Sequence, residues 1–341
     1  MANLNVIGNG FDLYHGLPTS YYYFACYMLS TNEELYDDLA DMYGFYKGIM
    51  HHFAEELERG IDDFGYWRDF EKNLGHLSSQ WVEDSLMDDL DLEYPDAVDL
   101  EIERPNHSDT IKETLKNWVN LTINTKKNFE IVKKMLGENK VEFSPEDVFV
   151  SFNYTHTLEE VYGISNVLHI HGEADSLMYE NNLIIGHGNN EILQNLQDKI
   201  SKLDGDDYDQ PSRNRKLEYQ FEKEVLANLR KPIETCRGQL SAFINKIEEP
   251  NIICVYGFSL GDVDIPYMQL IKERFPTCRW RFSYHSKSDI VSIKKATELL
   301  KIEDTQYEIF EFKNLDSRKI EARIVEENKI VIFPTMNELK K

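Results

Sequence analysis

Short, almost uninterrupted apolar runs, most of them stopping at a glycine or a small polar residue, constrain this chain more than any other feature. Leu4–Ile7, Val148–Phe152, Val167–Ile170, Leu183–Ile185 and Ile252–Tyr256 are such runs, and Trp280–Tyr284 and Tyr307–Phe312 are two further strand candidates. A strand with one face in water alternates polar and apolar residues, whereas a strand covered on both faces carries few polar positions. The pattern predicts an α/β fold, a Rossmann-like parallel sheet with helices on both faces.

Between the strands the spacing changes to three and four. Ser20 to about Met28 reads as an aromatic-rich helix, and Leu35, Leu39, Met42, Tyr46, Ile49, Phe53 and Leu57 mark an amphipathic one. Asp109 to Leu136 repeats that pattern, and Leu217 to about Ile247 does so with Pro232 dividing it. The acidic stretch Asp84 to Asp109, which holds Pro95 and Pro105, reads as a loop, and residues 201–216 read as a mobile polar loop. With one strand at the start and the rest after Pro145, the chain is expected to be a single α/β domain carrying a helical insertion over about 30–140.

Charge narrows the partners. Lys and Arg number 37 against 61 Asp and Glu, a net charge of −24, which repels phosphate backbones and argues against nucleic acid. A small anion is still allowed, because backbone N–H groups can hold one without lysine. The four cysteines lie far apart with no C-x-x-C, so neither a zinc ribbon nor a disulfide framework is expected. No apolar run approaches the length of a membrane span, and a cytoplasmic location is expected.

Open α/β sheets bind ligands at the carboxyl ends of their strands, and four motifs fall there. Gly8-Asn9-Gly10-Phe11-Asp12, with Gly16-Leu17-Pro18-Thr19 beyond it, is a glycine turn that allows close approach of a ligand; it also reads as a plain structural turn. Ser151-Phe152-Asn153-Tyr154-Thr155 offers Asn153 either to a ribose hydroxyl or water, or as the cap of a following helix. In Leu168-His169-Ile170-His171-Gly172 the two histidines are expected on one face of the strand, as a general base or as structural rings; no third ligand suggests metal. Tyr256-Gly257-Phe258-Ser259-Leu260-Gly261-Asp262 is a second glycine turn, with Ser or Asp as the alternative helix cap ahead of Pro266. His187, between Gly186 and Gly188, is a secondary candidate.

The opening GNGFDLYHGLPTSYYYF resembles the start of the AbiH family of bacterial phage abortive-infection proteins. FNYTHTLE, HIHG, GFSLGDVDIPY and the WRDFE of Trp67–Glu71 fit the same pattern. AbiH proteins in turn resemble, at a distance, sirtuin-like NAD-consuming domains, through Gly8–Gly10, Asn153, His171-Gly172 and Gly257–Leu260 in that order. That resemblance implies NAD as substrate or ligand, with Asn153 positioning the nicotinamide ribose and a water and His171 as base. It implies Gly8, Asn9, Gly10, Phe11, Asp12 and Thr19 around the pyrophosphate, and Gly257, Ser259 and Leu260 toward the adenosine. Asp12 departs from the pattern by bringing a carboxylate near phosphates, Thr155 stands where Asp is usual, and the paired-cysteine zinc module is missing. The expectation is a defence protein that hydrolyses NAD at the nicotinamide–ribose bond without a metal. The alternatives are a nucleotide sensor without turnover, or an effector acting through partners. Expected partners are a small nucleotide, a phage or host protein as trigger and a homo-oligomeric copy, with neither nucleic acid nor membrane.

Overall fold

The computed structural model describes residues 2–45, 69–90, 105–174, 183–203, 210–261 and 263–330. Its centre is a six-stranded parallel sheet: β1 (Leu4–Ile7), β2 (Val148–Ser151), β3 (Val167–His169), β4 (Ile252–Tyr256), β5 (Arg279–Tyr284) and β6 (Tyr307–Glu311). The spatial order is β3-β2-β1-β4-β5-β6, and Leu4 pairs with both Val148 and Ile253. This is the doubly wound, Rossmann-like arrangement, so the expectation of an α/β parallel sheet holds.

The α-helices among the described residues are α1 (Asn9–Tyr14), α2 (Tyr21–Thr31), α3 (Glu33–Tyr43), α4 (Phe70–Asn73), α5 (Ser79–Leu90), α6 (Ser108–Trp118), α7 (Lys126–Leu136), α8 (Thr157–Tyr162), α9 (Asn190–Leu203), α10 (Gln210–Asn228), α11 (Ile233–Ile244), α12 (Ile265–Arg274), α13 (Lys287–Leu299) and α14 (Ser317–Asn328). Alternate strand residues feed two apolar layers. Leu4, Val6, Val150, Ile253, Val255, Trp280 and Phe282 pack with α11, α12 and α13. Ile7, Phe149, Cys254 and Tyr256 pack with Phe11 of α1 and Leu158 of α8.

The chain divides into two compact units. Met1–Tyr23, Thr114–Ile184 and Pro232–Val331 form the one that contains the whole sheet. Phe24–Glu113 and Ile185–Lys231 belong to the other, which is helical. Within that second unit Phe24 meets Phe70 edge-on and Phe45 lies tilted against it, with centroids at 5.8 and 5.4 Å, and Trp81 of α5 meets Phe221 of α10.

Several local expectations are corrected. Leu183–Ile185 is not a strand: the segment is buried, but Ile184 N–H donates to the His171 carbonyl without any ladder. A three-residue apolar run fits a buried connection as well as a strand. The loop assigned from Asp84 is helical to Leu90, because Val82 and Leu86 are buried one turn apart while the acidic residues between them stay outside. Residues 91–104 of that stretch lie outside the described residues. The polar segment 201–216 is helical at 201–203 and from 210 on, leaving only 204–209 undescribed. The helix expected from Asp109 to Leu136 is divided by a π-turn at Val119–Ile123, after which Thr125 accepts from Asn128 N–H and caps α7. Of the helix expected over Leu35 to Leu57, α3 ends at Tyr43 with Gly44 in the left-handed region, and 46–57 lie outside the described residues. Pro232 does divide α10 from α11.

Candidate functional site

In this strand order the chain runs outward from β1 in one direction and from β4 in the other. The crevice that such a reversal leaves lies at the carboxyl ends of β1 and β4. Three glycines meet there. Gly8 N–H donates to the Tyr256 carbonyl at 2.9 Å, and Gly10 N–H donates to the Gly257 carbonyl at 2.7 Å. A Cβ on Gly10 would lie 2.7 Å from Gly257 Cα, and one on Gly257, which has φ of 56°, would lie 2.2 Å from Phe11 N. The glycines therefore clear space for each other, and two of the turn's N–H groups are engaged inside the protein.

The remaining residues of the two turns take different positions. Asn9 is exposed at the start of α1, and its side-chain amide donates to the Thr19 carbonyl at 3.1 Å. Thr19 is buried, and its hydroxyl finds no partner among the described residues. Phe11 is wholly buried in a ring cluster with His15, Tyr256 and Phe312. Ser259 is exposed and its hydroxyl donates to Asp264 at 3.3 Å, while Leu260 turns into the apolar layer with φ of 53°. Asp264 precedes α12 without a side-chain cap bond and Pro266 sits in its first turn; Asp262 lies outside the described residues.

Asp12 is the hub of the region. Its carboxylate, 1% exposed, accepts from Thr157 Oγ1 at 2.6 Å on one oxygen, and from Thr155 Oγ1 at 2.7 Å and Asn153 Nδ2 at 3.1 Å on the other. Burial pushes its pKa up to about 6, against the pull of the two threonine hydroxyls; Glu159 adds to the rise and His169 opposes it. Asn153 donates its second amide hydrogen to the Gly8 carbonyl at 3.0 Å, and its main-chain N–H to Ser151 Oγ at 3.1 Å. Asn153 does not cap the next helix, which starts at Thr157 with His156 ahead of it and no side-chain cap.

The histidines divide by environment. The strand ends at His169 and Ile170–His171 form a turn, so the two rings do not share a face as expected from period two. His169 faces α8: Nδ1 donates to the Asn153 carbonyl at 3.1 Å, and Nε2 reaches Glu159 Oε1 at 3.0 Å. Burial disfavours its charged form, but the bonds to Glu159 and to the carbonyl outweigh this and raise the pKa above the usual value. His171, 5% exposed, sits among Phe152, Tyr154 and Tyr267, with ring centroids 5.4–6.4 Å away. His187 belongs to the helical unit. It accepts from Asn189 N–H on Nδ1 and donates from Nε2 to the Leu226 carbonyl, and burial lowers its pKa. Both ring nitrogens are thus occupied, which removes it as a working base.

Sequence reasoning missed Thr157, Glu159 and His15. His15 is buried, donates from Nδ1 to the Phe11 carbonyl at 2.6 Å and receives the Tyr162 hydroxyl at 2.6 Å; burial lowers its pKa to about 4. The only signal for these residues was their nearness in sequence to motif positions.

A model of the bacteriophage abortive infection AbiH family matches residues 4–284, a span that contains all four strand-end motifs. The chain belongs to the AbiH family. Its role is accordingly in abortive infection, the defence of a bacterium against phage. No curated protein and no solved structure matches the chain. Among the described residues this AbiH chain has no cluster of three or more His, Cys, Asp or Glu able to hold a metal ion. Nor do they include a helix long and apolar enough to cross a membrane. A cleft of about 340 Å³ between α9 and α10, lined by Leu196, Lys199 and Glu222 among others, includes none of the strand-end residues.

Proposed function

We propose that this AbiH protein binds NAD at the β1/β4 crevice and hydrolyses its nicotinamide–ribose bond, depleting the cofactor of an infected cell. One observation carries the reading: Asn153 is fixed at the end of β2 beside the Gly8 turn, and its Oδ1 accepts no hydrogen bond among the described residues. An amide oxygen so held suits a ribose hydroxyl or the attacking water.

In the reaction the C1′–N bond breaks with its electron pair leaving on nicotinamide. A water oxygen bonds to C1′, and its proton passes to a base. His169 does not suit that role, because both its ring nitrogens are already engaged, one with the Asn153 carbonyl and the other with Glu159. His171 takes it, next to Gly172 at the adjacent strand end. A sensor that binds the nucleotide without turnover is the second reading. It is favoured by the enclosure of His171 among aromatic rings, which restricts the approach of water.

The test is NAD consumption by the purified protein, with nicotinamide and ADP-ribose quantified by chromatography, beside folded Asn153→Ala and His171→Ala. Turnover lost in both variants supports hydrolysis. A melting temperature raised by NAD that is never consumed supports the sensor, and neither effect rejects both readings.

A further inference from the structure

We infer that Asp12 is a positioning residue for Asn153 and not a ligand of the nucleotide: its buried carboxylate holds the Asn153 amide so that Oδ1 is the atom offered to the ligand. The inference rests on the site proposed above and assigns the one carboxylate of the Gly8–Asp12 turn.

Burial and bonding together turn Asp12 inward. One carboxylate oxygen accepts from Thr157, and the other accepts from both Thr155 and Asn153. The residue is 1% exposed, so a ribose or a phosphate would reach it only by displacing the groups that cover it. The same bonding fixes which way the Asn153 amide points. Its nitrogen lies between two acceptors, the Gly8 carbonyl and the Asp12 carboxylate, so the reversed amide would set oxygen against oxygen twice. The main chain of Asn153 is held as well, since its carbonyl accepts from His169, whose other nitrogen is held by Glu159. Segments more than 140 residues apart thus converge on one side chain. Misplacing a positioned group by about 1 Å can cost about 100-fold in rate.

The experiment is a mutant cycle in the full-length protein, with kcat and KM for NAD measured across pH. Asp12→Ala is expected to lower kcat about 100-fold and leave KM within about threefold, and to add no further loss in protein that already carries Asn153→Ala. Asp12→Asn is expected to rescue most of kcat, because its amide can accept from Asn153 and Thr155 and donate to Thr157. A raised KM with unchanged kcat in Asp12→Ala, or multiplicative losses in the double variant, overturns the inference. Should wild-type protein neither consume NAD nor be stabilised by it, the hydrolase reading fails, and the positioning is then decided without ligand. In protein labelled with ¹⁵N-asparagine, the two Asn153 amide protons should be well separated in wild type and collapse toward free-amide positions in Asp12→Ala. An unchanged pair there overturns the inference too.

Discussion

Replacing Gly257 by alanine tests the junction on which the candidate site is built. Gly257 has φ of 56°, where an alanine costs about 1–2 kcal/mol in the left-handed region. Its Cβ would fall 2.2 Å from Phe11 N and 2.3 Å from Gly10 C, both backbone atoms that cannot rotate aside. Forcing such a contact costs about 1–3 kcal/mol in backbone shifts. Such a shift pulls apart the 2.7 Å bond from Gly10 N–H to the Gly257 carbonyl, worth about 1 kcal/mol. Together these come to about 3–6 kcal/mol, a large part of the stability of an ordinary domain. Two other glycines separate the causes. Gly163 has φ of 72° and no atom within 4 Å of a built Cβ, so its alanine variant should lose only the conformational part. Gly238 lies inside α11 in open space, and alanine there should gain about 1 kcal/mol. Urea unfolding of the three variants, followed by circular dichroism with the slopes compared, gives the order directly. A Gly257→Ala cost no greater than that of Gly163→Ala would refute the close approach of the β1 and β4 ends.

Acid behaviour should reveal two opposed groups. Asp12 has its pKa raised from 3.8 to about 6, so its contribution is whole below pH 3.8 and is lost as pH rises through 6, a change of about 3 kcal/mol. His15, lowered from 6.5 to about 4, acts the other way, its contribution being whole above pH 6.5 and lost as pH falls through 4. The stability of wild type minus that of Asp12→Asn should therefore drop by about 2 kcal/mol between pH 4 and 7, and a flat difference in urea titrations rejects the assignment. For His169, Glu159→Gln should lower the ring pKa seen by ¹⁵N NMR; an unchanged value would mean that the 3.0 Å contact is not an ion pair. In the helical unit Lys231 is 1% exposed and bonded to Glu71 Oε2 at 2.7 Å. Glu71→Gln leaves that cation unbalanced and should cost about 3–5 kcal/mol, more than Lys231→Met; the reverse order in thermal melts would contradict the burial.

All six strands were anticipated: β1, β2 and β4 because strands covered on both faces write themselves as apolar runs, and β5 and β6 from aromatic-rich runs that keep polar residues at exposed positions. The failures came where composition stood in for periodicity. The acidic residues after Ser79 and the polar ones after Gln210 lie on solvent faces of helices whose buried positions, such as Leu86 and Phe221, are few and spaced by turns. The glycine turns could be found but not their use. That Gly10 and Gly257 pack on each other depends on strand order, which no local pattern reports. The Asp12 hub was illegible for a similar reason. Thr155 and Thr157 are common residue types, and only their projection beside a carboxylate more than 140 positions away distinguishes them.

The pairing of β1 has a consequence for how the protein is made. Leu4–Ile7 is translated before the other five strands, yet its two partners begin at Val148 and Ile252. At synthesis rates of about 5–20 residues per second, roughly 10–50 s separate the first strand from the last of its neighbours. Until then at least one edge of this apolar strand stays open, and the Gly10–Gly257 junction does not exist. A ribosome that stalls before β4 therefore releases a chain with its glycine turn but no crevice, so the strand-end site comes into being as a late event in synthesis.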